Sequence, residues 1–93
     1  MAKNKDAQIK VITFTGFIPR TQLQVRDASE LKFVNKSGSQ PQIKFPNGSI
    51  VTLDIAGDPF SVLELKTNEG YVFNLDLEII NADNLITIQV IEK

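Results

Sequence analysis

Between Tyr71 and Ile79 lies the cleanest alternation in the chain, with Val72 as its one apolar residue on the polar side. Tyr71, Phe73, Leu75, Leu77 and Ile79 fall on one side, and Asn74, Asp76 and Glu78 fall on the other. A period of two is the signature of a strand with one face in a core, since successive side chains point to opposite faces. No window of the 93 residues carries the opposing signal, apolar spacing of three and four with helix caps. The chain is therefore expected to be all-β.

The other segments agree. Residues 8–15 are rich in β-branched residues and partly apolar on both faces, with Ile9 and Val11 against Ile12 and Phe14, which suits a strand passing between two sheets. Gly16 permits a kink after it, and Pro19 belongs at an edge or a turn because it lacks an amide donor. Residues 22–26 and 31–35 read as short strands, with Leu23, Val25, Leu31 and Phe33 inward. Asp27-Ala28-Ser29 between them reads as a turn. A polar loop spans 36–42. A short strand at 43–45, a turn at Pro46-Asn47-Gly48-Ser49 and a strand at 49–55 with Val51, Leu53 and Ile55 inward come next. After a turn at 56–59, residues 60–67 form a strand whose phase changes near Val62 and Leu63, as at a bulge. Asn68-Glu69-Gly70 turns into the alternating segment. Residues 81–84 are a polar loop, and Ile86, Ile88 and Val90 mark the last strand, with Ile91 opposite. Eight short strands with regular turn signals predict a Greek-key β-sandwich of seven or eight strands. Residues 1–7 read as a flexible lead-in and 8–93 as one domain. Phe14, Phe33, Phe73, Leu75 and Ile88 are the expected core.

Composition narrows the chemistry. There is no Cys and no His, and Met1 is the sole methionine. Disulfides, thiol catalysis and thiolate metal sites are excluded together. Ser29, Ser37 and Ser61 have no base in sight, which points away from an enzyme. Formal net charge is −1 with both signs scattered, so a nucleic-acid partner is not expected. No run reaches the ~20 apolar residues of a membrane span. The opening MAKNKDAQ lacks the apolar stretch of a signal peptide; the chain is either cytosolic or a mature domain given a new start.

Three carboxylates, Asp76, Glu78 and Asp83, are candidates for a Ca²⁺ site; the favoured reading is a solvated outer face, since acids at i, i+2 are routine in sandwiches. Tyr71 and Phe17 are candidates for a ligand platform, although their place in the alternation suggests the core or its rim. Asn35-Lys36-Ser37 and Asn47-Gly48-Ser49 match the glycosylation sequon. Asn35 has a competing role as a hydrogen-bonding anchor for its loop.

Gly16-Phe17-Ile18-Pro19, then Leu23 and Val25, then Leu31-Lys32-Phe33-Val34-Asn35, resembles the opening of a cupredoxin domain. So does Ala56-Gly57-Asp58-Pro59 followed by a strand and Gly70-Tyr71-Val72-Phe73, and residues 86–90 resemble the closing strand. The resemblance implies a cupredoxin-like sandwich and, by family habit, an extracytoplasmic location if a signal peptide has been removed. Cupredoxins hold copper with two histidines, a cysteine and often a methionine. On this resemblance the first histidine corresponds to Gln42 and the cysteine to Leu75, with the remaining ligands between Asp76 and Leu85. None is present, and blue copper depends on thiolate and imidazole. The expectation is a copper-free, non-catalytic module without a cofactor, acting on a protein partner or as a homo-oligomer through loops 36–42 and 80–84. The alternatives are a carboxylate metal site and a small enzyme or enzyme accessory domain.

Overall fold

The computed structural model describes residues 8–57, 61–68 and 70–92. The expected lead-in at 1–7, Phe60, Asp58-Pro59 of one expected turn and Glu69 of another lie outside them. Seven strands occur among the described residues: β1 (Gln8–Ile12), β2 (Ile18–Asn35), β3 (Gln42–Lys44), β4 (Ile50–Thr52), β5 (Ser61–Lys66), β6 (Phe73–Ala82) and β7 (Ile86–Glu92). All are paired antiparallel in one hydrogen-bonded sheet. The described residues contain no helix, hence none long and apolar enough to cross a membrane.

The centre of the fold is β2. Residues 18–28 pair with β6, whereas residues 28–35 lie between β5 and β7. Two four-stranded halves follow, in the order β1-β7-β2-β5 and β2-β6-β3-β4. The register shows how they sit. Ala82 pairs with Ile18 at one end of β2, and Ile86 pairs with Asn35 at the other. Only Asp83, Asn84 and Leu85 lie between Ala82 and Ile86, a reach of at most about 14 Å over four steps. A flat β2 would separate its own ends by roughly 56 Å, more than the 43 Å longest dimension of the molecule. The strand is therefore folded back on itself, and its two halves face each other. One apolar cluster fills the space between, from Val25, Ala28, Leu31 and Phe33 of β2, Ile43 of β3, Leu53 just after β4, then Leu77, Ile79 and Ala82 of β6, and Ile86, Ile88 and Val90 of β7.

The fold-back occurs where a turn was expected. At Asp27-Ala28-Ser29 the chain does not reverse. Its register slips between Val25 and Ala28, and again between Ala28 and Glu30. Asp27 takes φ +52°, a left-handed conformation that Asp tolerates better than most residues. Its N–H is released from the ladder and donates to Asn74 Oδ1 at 2.9 Å. Such a bulge bends a strand without ending it.

Other expectations change for identifiable reasons. β1 ends at Ile12, short of Thr15. β4 holds three residues, because Leu53 N–H leaves the hairpin to donate to Pro41 O and Ala56 N–H donates to Ser37 O; Ile55 is left exposed instead of inward. β5 pairs with β2 in unbroken register from Ser61 to Lys66. There is no bulge at Val62 and Leu63; Leu63 and Leu65 pack against the core while Val62 is exposed. β6 runs on to Ala82, through residues expected in a loop, with Asn81 at φ +59° opposite the amide-less Pro19. Tyr71 (65% exposed) and Phe17 (61% exposed) are outside the core, since β6 begins only at Phe73 and β2 only at Ile18. Phe33 and Ile88 are fully buried, while Phe14, Phe73 and Leu75 are half-buried at the core margin. The turn at Pro46–Ser49 is present, closed by Phe45 N–H to Ser49 O at 2.8 Å and Gly48 N–H to Phe45 O at 2.9 Å.

Two stability measurements follow. Phe33→Ala is expected to cost about 3–5 kcal/mol in urea unfolding, and Phe73→Ala clearly less; equal losses would contradict the difference in burial. Asp27→Gly is expected to leave stability within about 1 kcal/mol, whereas Asp27→Val loses about 1–2 kcal/mol or more from the left-handed backbone.

Candidate functional site

The open end of the sandwich is where residues 36–42 and 83–85 meet. It is organised by one buried amide. Asn35 ends β2 and has no exposed surface. Its Nδ2 donates to Ser39 O at 3.0 Å and to Asp54 O; its Oδ1 accepts from Ser37 N–H and from Ser37 Oγ, both at 2.9 Å. All four bonds that an amide side chain can make are filled. The Ser37 and Ser39 hydroxyl oxygens lie 2.8 Å apart, and Ser39 Oγ donates to Asp83 Oδ2 at 3.1 Å. Asp83 Oδ1 accepts from Leu85 N–H at 2.8 Å, its carbonyl accepts from Ile86 N–H, and Lys36 N–H donates to Leu85 O at 3.0 Å. The two loops expected to work together are thus joined.

This corner is a brace. Ser37 is buried, its hydroxyl donating to Asn35 Oδ1 and accepting from Ser39 N–H at 3.1 Å, with no base beside it. Ser29 Oγ donates to Ile91 O at 3.3 Å. Asn35 of the first sequon is sealed in the interior, so its amide cannot take a glycan in the folded chain. Asn47 of the second lies in the exposed turn, where its Oδ1 accepts from Ser49 N–H at 2.9 Å.

The expected metal-binding residues are not brought together. Asp76 and Glu78 share the outer face of β6, where Asp76 pairs with Arg26 at 2.8 Å and Glu78 with Arg20 at 3.7 Å. Asp83 lies past the far end of that strand, about 20 Å from Asp76, and is held by Ser39 and Leu85. The described residues contain no group of three or more acidic side chains placed to hold an ion. Gln42 and Leu75 are also apart. Gln42 pairs with Ile80, five residues and about 17 Å along β6 from Leu75. Because Ile80 and Leu75 have opposite parity, the two side chains lie on opposite faces of the sheet. Gln42 Nε2 donates to Thr52 Oγ1 at 3.4 Å, while Leu75 packs at the core margin.

A second feature was missed in the sequence. On the outer face of the β2-β6-β3 half lies an open groove of about 360 Å³, lined by residues 22–24, 44–46 and 76–78. Gln22 and Gln24 stand opposite Glu78 and Asp76, and Lys44 opposite Glu78. Phe45 and Pro46 form one wall. The signal was available in the i, i+2 glutamines on the polar side of a strand. Their meeting with Lys44 depends on strand order, which the sequence does not display.

No protein-family model matches the chain, and no curated protein sequence matches it. Solved structures do resemble it. Protein NMB1881 from Neisseria meningitidis superposes with a TM-score of 0.53 at 6% identity, over 98% of this chain and 78% of that one. The capsular polysaccharide assembling protein CapF from Staphylococcus aureus superposes with a TM-score of 0.53 at 21% identity, over 99% of this chain. This chain spans 25% of the length of CapF. At these identities the likeness is one of fold.

Asn35→Leu tests the brace. It leaves the Ser37 N–H and the carbonyls of Ser39 and Asp54 without their partner, at about 1–3 kcal/mol for each group that stays buried. Thermal unfolding is expected to fall steeply for Asn35→Leu and little for Ser39→Ala; the reverse order would mean that Asn35 does not anchor the corner.

Proposed function

We propose that this chain is a non-catalytic sandwich module that presents its open end to a protein partner. The observation carrying this reading is the arrangement of exposed apolar side chains around the Asn35 brace. Phe17 precedes the Ile18–Ala82 pair, Leu85 follows Asp83, and Ile55 lies beside the Asp54 carbonyl held by Asn35. All three are about half or more exposed. Exposed apolar groups gathered on one surface mark interaction sites more often than scattered ones do. A loop end held by a filled hydrogen-bond network is preorganised, which lowers the ordering cost of association.

The topology in this reading is a double-sheet jelly roll of two Greek keys. The orders β1-β7-β2-β5 and β2-β6-β3-β4 fit that pattern, with residues 18–26 and 28–35 of β2 serving as two consecutive strands. The resemblance of residues 31–35 to cupredoxins is, on this reading, a likeness of strand and corner without copper chemistry: Asn35 keeps an anchoring role and Leu75 lies with hydrocarbon. Acid–base catalysis is not part of the proposal. Among the described residues the carboxylates of Asp76, Glu78 and Asp83 are engaged by Arg26, Arg20 and the corner loops.

A photo-crosslinking amino acid at Leu85, introduced in the cell that makes the protein, is expected to trap one discrete adduct. Its mass distinguishes a second copy of the chain from another protein. Phe17→Asp should abolish the adduct, and the same probe at Lys32, on the outer face of the other half, should give none. Absence of an adduct at Leu85, or equal labelling from both positions, would defeat the proposal.

A further inference from the structure

The groove on the outer face is independent of the open end, and its chemistry points to a different ligand. Gln22 and Gln24 are exposed, and neither side chain has a hydrogen-bond partner among the described residues. Each amide offers two donor hydrogens and an acceptor oxygen, and the i, i+2 spacing aims both at the same side of β2. Asp76 and Glu78, directly across from them, are neutralised by Arg26 and Arg20 but retain acceptor lone pairs. Lys44, opposite Glu78, forms no ion pair among the described residues. Counting Arg20 and Arg26, which pair with these carboxylates from outside the lining, the five charges sum to one positive, and Lys44 is the cation of the lining itself. Half-buried Phe45 and exposed Pro46 add an apolar wall.

We propose that this groove binds an acidic glycan, a sugar segment that carries a carboxylate. Sugar hydroxyls both donate and accept, so amides and carboxylates in alternation suit them. The apolar face of a pyranose ring suits Phe45 and Pro46. The Lys44 ammonium, a compact point charge, suits the uronate carboxylate. The volume of about 360 Å³ is at the low end of small-molecule sites, which run from about 300 to 1,000 Å³. A peptide strand is a poorer fit, because the groove lies over a sheet face and offers side chains in place of a free backbone edge. General attraction to a polyanion is also not expected, since the formal net charge of the chain is −1.

Electrophoresis of the full chain through native gels holding polygalacturonate, alginate or neutral dextran tests the assignment. The mobility should fall in at least one acidic polymer and stay unchanged in dextran. Apparent affinity should drop about tenfold or more in Gln22→Ala/Gln24→Ala, as expected from losing such hydrogen bonds. Lys44→Gln should weaken the retardation and Lys44→Arg restore it, with circular dichroism checking that each variant is folded. In a parallel NMR titration with oligogalacturonide, the side-chain amide signals of Gln22 and Gln24 should shift before those of Gln42. Unchanged mobility in both acidic polymers overturns the proposal. Retardation that survives the double variant, or equal retardation by dextran, also overturns it.

Discussion

Everything in this fold depends on one strand bending without breaking. Residues 18–28 of β2 belong to one half and residues 28–35 to the other. The core exists because those halves are folded face to face. The bend needs a residue that accepts positive φ and a partner for the amide it frees; Asp27 supplies the first and Asn74 the second. The partner comes from β6, the strand that pairs with the earlier half. The geometry of the bulge and the pairing of the sheet therefore reinforce each other.

Asn35 acts at the other end of the same strand. Burying an amide is unfavourable unless its bonding capacity is met, and here every lone pair and hydrogen is used. The result is a corner of fixed shape, joining the loop after β2, the chain after β4 and the turn before β7. A fully satisfied polar network of this kind specifies one arrangement of its loops in a way that apolar packing alone does not. Leu85, whose carbonyl joins that corner, and Ile55, next to Asp54, are both exposed.

Much of this was legible in the sequence, and the failures have physical causes. Alternation from Phe73 to Ile79 identified β6 and its inward side, because burial of one face imposes a strict period. The same rule failed at Tyr71, which lies before the strand begins and stays mostly exposed. Asp27-Ala28-Ser29 reads as a turn because turns and bulges draw on the same tolerance for positive φ. Only the distant pairings to Phe73 and Glu92 distinguish them. Asn35 was readable as an anchor because its bonds to Ser37 and Ser39 are local. The proposed copper-ligand positions, Gln42 and Leu75, were matched by spacing along the chain. In space they are on opposite faces of the sheet, a separation governed by register. The groove was hidden for a related reason: its residues come from three strands whose adjacency is a property of topology.

A shared central strand also sets the order in which the molecule can assemble as it is made. β2 leaves the ribosome before β5, β6 and β7, with both its halves unpaired. Ile18 must wait for Ala82, and Ala28 for Glu92. No hairpin formed in the meantime can close either half, because β6 and β7 are the last of the described strands to be synthesised. Pairings this remote in sequence form slowly. During the delay an 18-residue segment capable of strand pairing is open to neighbouring chains, a recognised route to aggregation. The feature that gives the finished domain its unity therefore makes its nascent form dependent on the seven residues of β7, the last of the described strands, and cells that make the protein quickly would place the greatest demand on chaperones.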